Sequence, residues 1–214
     1  MRTEDLVELL STDIEPVKKD ALAILVTGSL LVALAGAFVL MAIAFGIRPD
    51  LANVITTPIF WEKLAFPLSL SVGAVIATSR LGRPGASVGG VGLVFLILPV
   101  VCVWAAGTAV VYGAVPADRA LAVFGHTWRS CPFNILLLSI PGFIAIFYAM
   151  ARLAPTRLRL AGAVSGLLAG TVATVAYCFH CPEMSPAFWS IWYVLGVMIV
   201  AATGALLGPR LLRW

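Results

Sequence analysis

Residues 21–47 read ALAILVTGSLLVALAGAFVLMAIAFGI, an unbroken run without one charged side chain. A helix that crosses a bilayer needs about 20 apolar residues, so this run alone is long enough. Blocks of the same kind recur along the chain, which is 61% hydrophobic and only 11% charged. They are continuous where a soluble core would show amphipathic spacing, and the chain is therefore read as an integral membrane protein. Its 214 residues leave little for a soluble domain, so function must sit in spans, short loops or tails. Residues 1–20 hold six acids and no apolar run. That is unlike a secretory signal, and the segment is expected to stay on the mature protein.

Reading the runs between charged or Pro/Gly-rich breaks gives six spans, at 21–47, 59–79, 90–112, 132–151, 160–178 and 188–207. The expected fold is an all-α integral membrane bundle of six transmembrane helices behind a short cytoplasmic N-terminal amphipathic helix. Residues 1–20 form the cytoplasmic segment and 21–214 the membrane domain. Basic residues decide orientation. Arg2, Lys18, Lys19, Arg80, Arg83, Arg152, Arg157, Arg159, Arg210 and Arg213 fall on one side, ten of the fourteen. The opposite side has only Arg48, Lys63, Arg119 and Arg129, so both termini are expected in the cytoplasm. The net charge of +4 is thus topological and gives no reason to expect direct nucleic-acid binding. Trp61 and Lys63 are read as flanking the second span, so no ionisable group is expected at membrane depth. This weighs against an ion-coupled transporter.

Span five carries Gly162, Gly166 and Gly170 at i, i+4 and i+8, a face that lets another backbone approach closely. The span is expected to be central to the bundle, and a homodimer through this face stays open.

The outward side gathers soft chemistry. Cys131 precedes Pro132 at a helix start, where the dipole and nearby Arg129 favour a thiolate. Residues 177–189, YCFHCPEMSPAFW, put Cys178 and Cys181 at i, i+3, beside His180, Glu183 and Met184. With His126 these side chains are candidates for binding a transition-metal ion such as copper, zinc or cadmium, or for forming a disulfide. Glu183 is expected either behind a metal ligand or as a helix N-terminal charge. Cys102 is read as a small buried hydrophobe. A loop histidine is more often merely solvated.

The stretch TEDLVELLSTDIEPV, residues 3–17, aligns Leu6, Val7, Leu10 and Ile14 on one helical face and Glu4, Asp5, Glu8 and Ser11 on the other. Thr3 can cap its start and Pro16 ends the pattern. An interfacial membrane helix would be basic on its polar face, so this one is expected to meet a basic protein partner with an apolar groove.

Five stretches carry a family resemblance: MRTEDLVELLSTD at the start, RSCP at 129–132, APTR at 154–157, AGAVSGLLAG at 161–170 and CPEMSPAFWSIWYVLG at 181–196. End to end the chain resembles the NrsF-type membrane anti-sigma factors. The resemblance implies an extracytoplasmic-function sigma factor as partner, held at the inner membrane face and released under stress. It also implies that the two cysteines tied to the response are Cys131 and Cys181. Glu4, Asp5, Glu8 and Asp13 would then compete with promoter phosphate for the sigma factor. Two other classes remain beside this one. The first is a membrane thiol–disulfide oxidoreductase using Cys178, Cys181 and Cys131. The second is a small metal permease leading ions past Cys102.

Overall fold

A computed structural model describes residues 3–5, 7, 20–153 and 155–213. Among them every regular element is helical. In chain order these are α1 (Ala21–Ala44), α2 (Leu51–Val54), α3 (Pro58–Leu81), α4 (Gly90–Gly113), α5 (Arg119–Phe124), α6 (Cys131–Leu138), α7 (Ile140–Ala151), α8 (Leu158–Tyr177) and α9 (Pro186–Leu211). Helices α1, α3, α4, α8 and α9 are each long and apolar enough to cross a membrane. The pair α6 and α7, bent by 46°, makes a sixth if it is one broken span.

The break falls at Ser139, ahead of Pro141, which has no N–H to continue the ladder. Ser139 donates its hydroxyl to Leu136 O at 2.7 Å and helps satisfy the interrupted turn. The sequence reading drew one straight span at 132–151, because apolar content is blind to a bend. It also placed Lys63 at a span edge. Lys63 lies inside α3 and is fully buried, so an ionisable group does sit within a span.

Helix α8 is the axis of the bundle: 83% of its central stretch is buried, against 11% for α4. Its glycines make this possible. An added Cβ would lie 2.8 Å from the Gly208 Cα at Gly162, 3.1 Å from the Ala201 Cα at Gly166 and 3.3 Å from the Val197 Cα at Gly170. Thus α8 and α9 pack backbone to backbone. The stripe faces α9 of the same chain, so it offers no free surface to a second copy. Around this axis, α1 and α4 turn residues such as Ile24, Leu31, Ile43, Val91, Ile97 and Val101 outward. Apolar exposure on that scale suits hydrocarbon rather than water.

Candidate functional site

At one end of α8 the chain makes one further turn rather than stopping. Cys178 N–H donates to Thr174 O at 3.0 Å and Cys181 N–H to Tyr177 O at 2.9 Å, and the turn carries both thiols before Pro182 ends it. Cys131, the first residue of α6, belongs to the same buried apolar cluster as Cys178 and Cys181. All three are 0% exposed and unpaired. Tyr177 and Tyr193 are buried among them. Tyr193 belongs to a π-helical turn, Trp189–Tyr193, inside α9, a local widening frequent at functional sites. Its hydroxyl is buried without a nitrogen or oxygen partner. Just past the end of α8, burial pushes the Cys178 thiol up to about 12, with the Lys63 charge acting in the opposite direction.

The expected setting for a Cys131 thiolate, a polar helix start beside Arg129, is not what the structure has. Cys131 is wholly enclosed, and the Arg129 guanidinium lies over the Trp128 ring at 5.0 Å. The Trp128 ring packs in turn against Trp192 at 5.1 Å.

Glu183 joins the two cysteine turns. Its carboxylate accepts the His126 N–H at 2.6 Å, the Thr127 N–H at 3.1 Å and the Thr127 hydroxyl at 3.3 Å. Thr127 O in turn accepts the Cys131 N–H at 3.0 Å. Gly125, at φ +52°, lets the chain pass: a Cβ there would fall 2.5 Å from the Glu183 Cδ. His126 therefore contributes its backbone, and its side chain stays exposed. Met184 is partly buried against the cluster.

His180 donates from Nδ1 to Gly46 O at 2.9 Å. A carbonyl can only accept, which fixes the proton on Nδ1. Arg48 N–H reaches Phe179 O at 3.2 Å, and Arg48 Nη1 reaches Cys181 O, also at 3.2 Å. The Arg48 guanidinium grips Asp50 with two bonds, 2.7 and 2.8 Å long. That hydrogen bonding holds the Asp50 carboxyl below its usual range and raises Arg48. Lys63 Nζ donates to Cys181 O at 2.6 Å and to Glu183 O at 2.9 Å.

Sequence reasoning missed Lys63, Arg48, Gly125, Tyr177 and Tyr193. A signal existed for Lys63, a cation within the apolar run IFWEKLAF at 59–66. The other four had none, since their roles arise only when distant turns meet. Among the described residues no three His, Cys, Asp or Glu side chains are placed to hold a metal ion. Cys102 is not buried as expected. It is exposed on α4, outside the thiol cluster, and lines an apolar cleft with Glu62, Pro99 and Trp189. Of the N-terminal candidates, Glu4, Asp5 and Val7 are exposed and helical. Leu6, Glu8, Leu10, Asp13 and Ile14 lie outside the described residues.

Among the described residues an all-helical bundle with outward apolar faces and a thiol cluster buried at one end defines a membrane-type protein. The chain belongs to the family described as negative regulator of sigma F, NrsF, whose model matches residues 10–214. It is 43% identical to the probable anti-sigma-F factor NrsF of Azospira oryzae over the full length of both chains. It is 35% identical to the anti-sigma-F factor NrsF of Caulobacter vibrioides, again over all of both. No solved structure matches it.

Proposed function

We propose that this chain is a membrane-bound anti-sigma factor that senses at its cysteine turns and acts through its N-terminal segment. Family membership supports the anti-sigma role. The observation that carries the sensing half is the convergence of Cys131 and Cys181 in one buried cluster. Six spans with both termini in the cytoplasm put that cluster on the periplasmic side of the inner membrane and the acidic segment on the other. At rest the apolar stripe of Leu6, Val7, Leu10 and Ile14 and the acids Glu4, Asp5, Glu8 and Asp13 hold an extracytoplasmic-function sigma factor.

The stimulus acts on the thiols in one of two ways. A soft metal ion displaces two thiol protons and binds both sulfurs. Alternatively, Cys131 and Cys181 lose two protons and pass two electrons to an external two-electron oxidant as the S–S bond forms. Either event moves the resting equilibrium only by its differential affinity for the two states, and about 1.4 kcal/mol shifts it tenfold.

The permease reading loses support because Cys102 lies on the outer surface rather than beside the other thiols. The test is purification of the chain from mild detergent. A sigma factor is expected to come with it and to leave on addition of copper, cadmium or an oxidant. Leu6→Asp or Leu10→Asp should abolish its retention without any stimulus. Retention after deletion of residues 2–16 would sink the N-terminal assignment. Labelling of Cys131 and Cys181 from the cytosolic side would sink the topology.

A further inference from the structure

The Cys181 carbonyl accepts from two cations at once, Lys63 at 2.6 Å and Arg48 at 3.2 Å. Arg48 has its own counter-ion, Asp50, at 2.7 Å. Among the described residues no carboxylate lies within 4.0 Å of the Lys63 ammonium. This ammonium is held directly by the Cys181 and Glu183 carbonyls, with the Tyr193 ring centroid 5.9 Å away, and the Asp50 carboxylate that Arg48 grips feels its charge from further off. A fully buried ammonium without an anion in contact is costly unless every proton finds an acceptor. Its placement thus depends on the 178–183 turn keeping its present shape.

The two cations sit on different elements. Lys63 is one and a half turns into α3, and Arg48 lies in the short non-helical segment that follows the α1 C-cap, Phe45. The segment just after α1 is tied to the turn three times over, by His180 on Gly46 O, Arg48 N–H on Phe179 O and Arg48 Nη1 on Cys181 O. Helix α1 is one uninterrupted rod from Ala44 back to Ala21, beside the N-terminal segment, a length of roughly 36 Å at 1.5 Å per residue. At the far end of α3, Gly82 packs against Leu22 and Leu153. Helix α3, which bears Lys63, and helix α1, joined to Arg48 through residues 45–47, therefore both run from beside the cysteine turn to the root of that segment.

We propose that Lys63 and Arg48 are positioning residues, a latch on the Cys181 carbonyl that couples the state of that cysteine to α1. This rests on the anti-sigma reading above. A new bond at the Cys181 sulfur re-aims the turn, the shared carbonyl leaves one or both cations, and α1 loses its ties at the cysteine end. A rigid helix transmits the change to Ala21 without a chain of side-chain relays.

The test uses the full-length chain purified with its sigma factor. It compares Lys63→Met, Lys63→Arg and Arg48→Gln, each also in a Cys131→Ser/Cys181→Ser background for the sigma readout. Alkylation of Cys181 by N-ethylmaleimide is followed by peptide mass spectrometry, alongside the sigma factor retained per chain. Lys63→Met should speed Cys181 alkylation about tenfold, the effect of a turn that opens ~1.4 kcal/mol more easily, and should release sigma without a stimulus. It should release sigma equally in the serine background, which a defect in thiol chemistry would not do. Lys63→Arg should restore most of the retention, and Arg48→Gln should act in the direction of Lys63→Met but less. Wild-type alkylation in Lys63→Met, or sigma release without faster alkylation, overturns the latch. Should Lys63→Met fail to accumulate, Arg48→Gln decides on the same two readouts. If the wild-type chain retains no sigma factor, the anti-sigma reading fails, and the alkylation rates still judge the latch.

Discussion

The two ends of α8 are built on opposite principles. At the Gly162 end, backbone meets backbone across α9 and no side chain stands between them, so the contact has one arrangement or none. At the Tyr177 end, bulky rings, three thiols and two cations share the space, and the turn is held by hydrogen bonds to its carbonyls. Dense small-residue packing resists displacement. A polar lattice around an ammonium held by backbone carbonyls has discrete alternatives, because each bond can be exchanged. The glycine end thus serves as the fixed point against which the cysteine end can move.

The most severe way to break this contrast is to attack the fixed end. Gly166→Leu would force its side chain into the Ala201 backbone, whose Cα already lies 3.1 Å from the Cβ position. A loss of about 3 kcal/mol or more is expected, read as failure to accumulate or as a collapsed thermal midpoint in detergent. If Gly166→Leu is tolerated, α8 is not the anchor.

Cutting the tie between the two cysteine turns comes next. Glu183→Ala strips the acceptor from the His126 and Thr127 N–H groups and is expected to lower stability by about 2 kcal/mol, as for hydrogen bonds to a charged group. Because Thr127 in turn holds Cys131, alkylation of Cys131 should rise more than that of Cys178. An equal rise at all three thiols would mean that Glu183 supports the end as a whole and does not join two turns.

Cys131→Ser and Cys181→Ser sharpen the contrast from the other side. Each buries a hydroxyl in place of a thiol and should lower stability by only about 1 kcal/mol. Sigma retention should survive and the response to metal or oxidant should disappear, measured by co-purification with and without the stimulus. A response that persists in the double variant would take the sensing role away from these turns.

The two ends were also unequally legible in sequence. The glycine stripe is a local pattern, three residues at helical spacing, and its spacing alone indicates one smooth face. What that face meets is a tertiary matter, since α9 lies beyond the cysteine turn in the chain. The five long apolar helices and the α6–α7 pair were legible as apolar blocks because hydropathy is a property of composition. The bend at Ser139 and the π-turn at 189–193 were not, because they concern hydrogen-bond register. At the cysteine end, residue types singled out Cys131 and Cys181, which the fold does gather into one cluster, but gave no hint of their enclosure. Neighbours in sequence such as Arg129 do not become neighbours of the sulfur in space. Lys63 was discounted by its proximity to a span boundary, although the first turns of a buried helix lie deep when loops fold over them.

Cys102 supplies the smallest expected effect and the cleanest control. Of the four cysteines it alone is exposed, on the most lipid-accessible helix, in a cleft shared with Glu62 and Pro99. Cys102→Ser removes no packing from the thiol cluster and should change stability by less than about 0.5 kcal/mol, the range of surface substitutions. Sigma retention and stimulus response should match the wild type. The substitution also simplifies the alkylation experiments by removing the thiol most open to a membrane-permeant reagent. A loss of response in Cys102→Ser would show that the thiols do not divide into an enclosed working set and an idle outlier. The comparison between the anchored and the movable end of α8 would then have to make room for α4.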